Sequence, residues 1–361
     1  MEKQVVKWGN VFKFAGAFIA FLIGSGFATG QEILQYFASY GYEGVLTAVV
    51  MLILFLYVGG DFIVTGYREQ FEKGSDIFVY YCGKYIGAFY DYFTIAFVFM
   101  SYVVMIGGAG ATLNQHYGLP TAVGGIAMMC LAGFTVTMGL GRIVDIIGKI
   151  GPIIVLIAVG LGLYSLISNA GAIPDNVAAL EAGQIDVMQA GTNWFTSASS
   201  YVGFCMLWLA AFLAAMGKGA NSAKEALLGS SLGAAGFAAG CVTLMFGLLA
   251  YLPDVAGTQI PALILAIKIH PGIAAIFSII IIAGIYTTAV PLLWQAASRF
   301  TQEGSQRFKA LTLILAAAGC FVGLALPFNR LVNIIYVING YVGILLLLFI
   351  IVRMVRRRAA A

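Results

Sequence analysis

The stretch Ile23-Gly24-Ser25-Gly26-Phe27-Ala28-Thr29-Gly30-Gln31-Glu32 places glycines, hydroxyls and a carboxylate in the middle of a long apolar segment. Glycine is costly in a helix interior, and in hydrocarbon every backbone N–H or C=O freed by a break needs a partner. A break at that depth is stable where it lines a cavity or is covered by protein. Secondary transporters use such broken helices to hold substrates, with the helix ends aimed at the ligand; a kink or a small-residue packing face is the other use of the same residues. Glu32 falls in the first turn of the half-helix beyond the break, where the macrodipole favours an anion. An ionisable residue inside a membrane span marks a functional site. Three roles fit it: binding a substrate ammonium, carrying a proton, or pairing with a nearby hydroxyl or amide.

A second group lies at Gly284, Thr287, Thr288 and Pro291. Their i, i+3, i+4, i+7 spacing puts them on one helix face. Paired hydroxyls beside free carbonyls suit a hard cation, and Pro291 frees the carbonyl of Thr287 by removing its donor. A close-packing helix interface uses the same residue types. The run from Thr196 to Cys205 holds four Ser or Thr residues and then Gly203 between aromatics. It predicts a second break, with Tyr201, Phe204 and Trp208 as pocket walls. Tyr102 falls mid-membrane, where its phenol needs a partner, and is a candidate for contacting a ligand. Asp61 needs a basic or hydroxyl partner, which Lys149 or Lys13 could supply. Asp145 and Lys149 are i, i+4 and pair on one face, either as part of an inner gate or as a solvated helix start. His116 and His270 read as surface residues.

These groups need long apolar elements to position them. The 361 residues are 61% hydrophobic and 9% charged, with a mean hydropathy of +0.97, which excludes a soluble domain and predicts an all-α polytopic membrane protein. Ten spans are expected, at about 9–38, 44–67, 88–114, 119–139, 142–168, 195–217, 224–251, 272–298, 310–327 and 331–352. No cleavable signal peptide is expected, because the first apolar segment is too long for one. With the N-terminus in the cytoplasm, all of the 19 Lys and Arg residues except Lys268 and Arg330 fall on the inner side. The positive-inside rule therefore predicts that both termini are cytoplasmic. The five cysteines are isolated and form no metal spacing.

Residues 1–361 read as one membrane domain of two matched halves, 8–168 and 194–352, with five spans each. An odd number of spans inverts the second half relative to the first. The short amphipathic links at 75–86 and 259–270 then fall on opposite sides, as inversion requires.

Three motifs carry a resemblance. Ile23-Gly24-Ser25-Gly26-Phe27 resembles the GSG break of the amino acid–polyamine–organocation (APC) transporters, and Tyr201-Val202-Gly203-Phe204 is similar to their sixth-span motif. Arg142-Ile-Val-Asp-Ile-Ile-Gly-Lys149 resembles the fifth-span start of branched-chain amino acid symporters, and the whole chain looks closest to YkvI-like amino-acid permeases. The resemblance implies a LeuT-type 5+5 inverted repeat of ten transmembrane helices, with helices 1 and 6 broken at mid-membrane. It implies a substrate carboxylate on the backbone amides of Gly24, Ser25 and Gly26; Phe27, Tyr102, Tyr201, Gly203, Phe204 and Trp208 are the further substrate-site candidates. It also implies sodium (Na+) held by carbonyls of Ala20, Ile23 and Gly284 and hydroxyls of Thr287 and Thr288. A further sodium site of some members needs Asn just past the break; Phe27 stands there, so that site is not carried over.

The expectation is a transporter of a small amino acid or similar zwitterion in a bacterial cytoplasmic membrane, coupled to sodium. Proton coupling and exchange are the alternatives. A receptor that binds an amino acid without moving it is the rival from another class. Glu32, Asp61, Asp145 and Lys149 are the coupling or gating candidates. No enzyme motif is present, no organic cofactor is expected, and the partners expected are a small-molecule substrate and the lipid bilayer, with no nucleic acid.

Overall fold

The structure, a computed structural model, describes residues 6–138 and 144–360, without the side chains of Ser25, 144–152, Val155 and 357–360. Its helices are α1 (Trp8–Leu22), α2 (Ser25–Thr29), α3 (Gln31–Tyr36), α4 (Gly44–Leu54), α5 (Gly60–Glu69), α6 (Asp76–Tyr117), α7 (Thr121–Thr137) and α8 (Val144–Asn169) in the first half. The second half holds α9 (Ile173–Glu181), α10 (Trp194–Gly217), α11 (Ala223–Ala250), α12 (Leu252–Val255), α13 (Pro261–Ile269), α14 (Pro271–Ser298), α15 (Gln306–Gly323) and α16 (Phe328–Ala360). A π-helical turn, Phe55–Gly59, joins α4 to α5.

Eight stretches among the described residues are long and apolar enough to cross a bilayer, and α1 and α7 are shorter apolar helices. Large apolar side chains such as Phe134, Leu156, Ile167, Ile276, Ile314 and Phe321 stand exposed around the bundle. Water would not tolerate so wide an apolar surface; lipid does.

Local chemistry explains the helix ends. Asn193 and Thr196 form a capping box at the start of α10. Ser222 and Ser305 accept the first free amides of α11 and α15. His270 caps α14 by accepting from Gly272 N–H, so it is a capping residue. Both amphipathic links are helical. The first is the opening of α6 up to Gly83, whose φ of 77° bends the chain, and the second is α13.

The first span is broken, as its glycines predict. Ile23 and Gly24 leave the helical region, and Gly30, at φ 79°, separates α2 from α3. The Thr29 hydroxyl donates to Gly26 O at 3.0 Å, so a side chain satisfies backbone that the break would leave bare. Gly30 also lets α13 approach: a Cβ there would meet Ala262 N at 3.0 Å.

The expected break in the sixth span is absent. The α10 helix runs unbroken through Ser199–Phe204. Its hydroxyls do other work: Ser199 donates to Phe195 O one turn back, and Ser197 donates to Tyr36 O. Gly203 is a packing glycine. A Cβ on it would overlap Gly340 O, and one on Gly343 would overlap Gly203 O, so α10 and α16 touch backbone to backbone. Gly203→Val is expected to lower the unfolding temperature by several degrees, since overpacking costs about 1–3 kcal/mol. Gly16→Ala, where a Cβ meets nothing within 4 Å, should leave it unchanged or raised. Equal effects in a detergent melting assay would contradict this account of the α10–α16 contact.

Candidate functional site

The short helices α2 and α3 sit at the centre of the bundle, packed against α6, α8, α10, α11, α13, α14 and α16. Every residue of α3 is buried, including Gln31, Glu32 and Gln35. Gly30, at φ 79°, bends the chain between α2 and α3, and the Glu32 side chain reaches back to Gly26. The result is direct: a Cβ on Gly26 would overlap Glu32 Oε1. The Glu32 carboxyl therefore lies against the first break itself, in space that a Cβ at 26 would contest.

Glu32 is 2% exposed. Tyr201 O–H donates to its Oε2 at 3.3 Å. Among the described residues no Lys, Arg or His pairs with it. An ionised carboxylate in that position calls for a countercharge. Aromatic rings from several elements surround it. Tyr36 packs edge-on to Tyr201 at 5.1 Å, Tyr201 to Phe204 at 5.0 Å, and Phe204 stacks on Tyr336 at 4.9 Å. Trp208 stacks on Phe97 at 5.0 Å, and Phe237 joins Phe27 to the group at 5.6 Å.

Several polar atoms of this cluster are buried without a partner among the described residues: Tyr336 Oη and Trp208 Nε1, with Tyr36 Oη and Ser200 Oγ close to one another. Buried polar groups are ordinarily hydrogen-bonded. A carboxyl, three tyrosine hydroxyls and an indole N–H set among ring faces are what a small polar ligand or ordered water would complete. The N–H groups of Gly26 and Phe27, in the first turn of α2, have no intrahelical acceptor.

One side of the site is closed by amides. Gln35 donates to Asn329 O at 2.9 Å and accepts from Asn333 at 3.0 Å, and Asn333 also donates to Gln189 O. Gln31, whose amide is oriented toward the carbonyls of Thr258 and Gln259 and accepts from Gln35, lines a cleft of about 270 Å³ with Asp186, Val187 and Thr258. Gln31 thus faces the cleft while its neighbour Glu32 faces the aromatic cluster. The far end of the first span is held by Glu225, which accepts from Lys7 N–H at 2.7 Å and Asn10 at 3.0 Å.

The structure sorts the residues expected from sequence. It gathers Gly24, the backbone of Ser25, Gly26, Phe27, Tyr201, Phe204, Trp208 and Glu32 in one region; the Ser25 side chain lies outside the described residues. Tyr102 is a correction. Its ring lies where a Cβ of Gly319 would be and beside Phe99, so it packs on α15, away from Glu32. Gly203 serves the α10–α16 contact. Asp61 takes its hydrogen bond from the Tyr81 hydroxyl, which also contacts Thr65 at 3.1 Å; of the basic or hydroxyl partners expected, the hydroxyl is the one seen among the described residues. The side chains of Asp145 and Lys149 lie outside the described residues. Thr287 and Thr288 both donate to Gly284 O, at 2.9 and 3.0 Å. Their helix meets the first span chiefly at α2, whereas Ala20 belongs to α1. Gly284 lets Ile154 pack against α14. Sequence reasoning missed Tyr36, Phe237 and Tyr336. Tyr36 stands four residues after Glu32 on the same face, a usable signal; nothing local marks the other two.

No family model matches the chain. Two Bacillus subtilis (strain 168) proteins are similar to it along nearly their whole lengths. The uncharacterized membrane protein YkvI is 22% identical over 339 residues, 93% of this chain and 94% of that one. The uncharacterized protein YyaD is 26% identical over 345 residues, 94% and 96% respectively. Two mutants of an Eremococcus coleocola manganese transporter superpose on 98% of this chain and 73% of theirs, with TM-scores of 0.46 and 0.43 at 12% and 13% identity. That likeness is too distant to build on. With its apolar helices and a membrane-protein relative, the chain is a multi-pass membrane protein.

Glu32→Gln removes a buried carboxyl with no countercharge and keeps its size. It is expected to unfold at the same or a higher temperature than the unsubstituted protein. Tyr201→Phe, which takes away the hydroxyl bonded to Glu32, should unfold lower. A marked loss of stability in Glu32→Gln would assign the carboxyl to structure.

Proposed function

We propose that the protein is a secondary active transporter of a small amino acid or related zwitterion, with Glu32 at the centre of its binding site. One observation carries the reading: a buried carboxyl with no cation paired to it among the described residues, set against a broken first span and a cluster of tyrosine hydroxyls. In this arrangement the substrate ammonium binds Glu32 and supplies the missing charge. The substrate carboxylate takes the first-turn amides of α2 at Ser25, Gly26 and Phe27. Tyr36, Tyr201, Phe204, Trp208 and Tyr336 enclose the remainder, and a ring face favours an ammonium. The 5+5 inverted repeat, with both termini cytoplasmic, belongs to the same proposal. The charge distribution and the helical links at either side support it; the unbroken α10 departs from the LeuT pattern and leaves the first span as the only broken one in the site among the described residues.

Sodium coupling is proposed at Thr287 and Thr288, with Gly284 and the carbonyls of Ala20 and Ile23 as further ligands. Both hydroxyls now donate to Gly284 O, so binding a cation requires them to turn their lone pairs to it. An ion couples transport only by binding one conformation better than another. The second reading is proton coupling at Glu32, favoured by the single hydroxyl that contacts it.

Melting temperatures of the purified protein with amino acids and amines, with and without sodium, test the reading, because a ligand that binds the folded state raises its stability. A sodium-dependent rise with an amino acid is expected, and it should vanish in Glu32→Gln. In proteoliposomes Thr288→Ala is expected to abolish sodium-driven uptake. If uptake follows a pH gradient and ignores sodium, the cation site is wrong and the proton reading stands. Binding without flux under either gradient would point to a receptor.

A further inference from the structure

A second cleft, of about 520 Å³, lies far from Glu32 in sequence and chemistry, between the bend of α6 and the C-terminal part of α16. Gly83 creates it. The glycine's φ of 77° turns the opening of α6 away from the long span that follows, and a Cβ there would meet nothing within 4 Å. On α16, Phe349, Val352, Arg353 and Arg356 line the cleft. Their i, i+3, i+4, i+7 spacing makes one face that is apolar toward the span and basic toward the helix end.

Neither arginine has an ion pair among the described residues. The two nearby carboxyls of α5 are engaged with tyrosines of α6: Asp61 with the Tyr81 hydroxyl and Glu69 with that of Tyr80. Arg353 lies over the Tyr80 ring at 4.7 Å, which fixes the guanidinium at the cleft without neutralising it. Lys84, exposed, follows Gly83 directly. From Arg330 to Arg353 the helix rises roughly 35 Å at 1.5 Å per residue, against a hydrocarbon core of about 30 Å. Arg353 and Arg356 therefore stand at headgroup level. Below them Phe349 and Val352 are exposed on the lipid side, as are Phe89 and Tyr92 of α6.

We propose that this cleft binds an anionic membrane phospholipid. Arg353 and Arg356 hold the phosphate, since a guanidinium presents two parallel donors to phosphate oxygens, and an acyl chain lies along Phe349 and Val352. A free phosphate would use the arginines alone. The apolar floor continuous with the lipid-facing surface selects the amphipathic ligand. Basic pockets between helices at a membrane surface recognise lipid headgroups in this way.

Native mass spectrometry of the full chain in neutral detergent tests it, with phosphatidylglycerol, phosphatidylcholine and inorganic phosphate as probes. Phosphatidylglycerol should be retained at several-fold lower concentration than phosphatidylcholine, and millimolar phosphate should not displace it. Arg353→Gln with Arg356→Gln should erase the preference. Arg353→Lys with Arg356→Lys should keep most of it, and Arg307→Gln, an exposed arginine elsewhere, should keep all of it. Equal retention of the two lipids overturns the proposal. So does a preference that survives the double Gln variant, or displacement by phosphate, which would mark a soluble-anion site.

Discussion

The structure depends on a constraint of the bilayer: a chain that leaves its helix at mid-membrane must find partners for the backbone it frees. The break at Ile23–Gly24 and the bend at Gly30 satisfy this by taking the centre of the bundle. The Thr29 hydroxyl covers Gly26 O, and seven longer helices wall the two short ones. The cost of the break thereby obliges the rest of the molecule to surround it. A site surrounded on all sides is also where a polar ligand can be held away from lipid, so the structural remedy and the functional opportunity are the same feature.

Glu32 follows from that geometry. The bend at Gly30 brings its carboxyl close to Gly26, into space that a Cβ at 26 would contest. Among the described residues its environment is polar without a paired cation: one tyrosine hydroxyl is in contact, and further hydroxyls and an indole N–H of the cluster are without partners. Such a network is stable when completed and costly when incomplete. The amides of Gln31, Gln35 and Asn333 close it on the cleft side with hydrogen bonds that are individually weak. A barrier of that kind can exchange its partners as a ligand passes.

Glycine has two distinct uses in this chain. At 26 and 30 it permits side-chain and backbone placements that other residues would obstruct. At 203, 340 and 343 it lets α10 and α16 meet at backbone contact. Hydrocarbon gives helices no hydrophobic reason to associate, so close contact between backbones supplies the attraction. This is why Ser199–Phe204 resembles a break by composition and behaves as a packing surface. The Ser199 hydroxyl returns to its own helix at Phe195 O, the Ser197 hydroxyl crosses to Tyr36 O, and the helix runs on without a break.

What could be read from sequence was what depends on one dimension. Apolar length placed the helical stretches, and the cluster at 24–32 located the break, because glycine cost and backbone desolvation act locally. The singular position of Glu32 was equally legible, since carboxylates inside spans are rare. Tertiary structure decided which faces meet. In a soluble helix the apolar stripe names the buried face, but here lipid and core are equally apolar, and periodicity carries no such label. For that reason Tyr102 turned to α15, Asp61 found Tyr81, and Tyr36, Phe237 and Tyr336 entered the site without local warning. The same degeneracy left the sixth span ambiguous between break and contact. Only the approach of α16 to Gly203 resolved it, through a distance between backbones that no single segment contains.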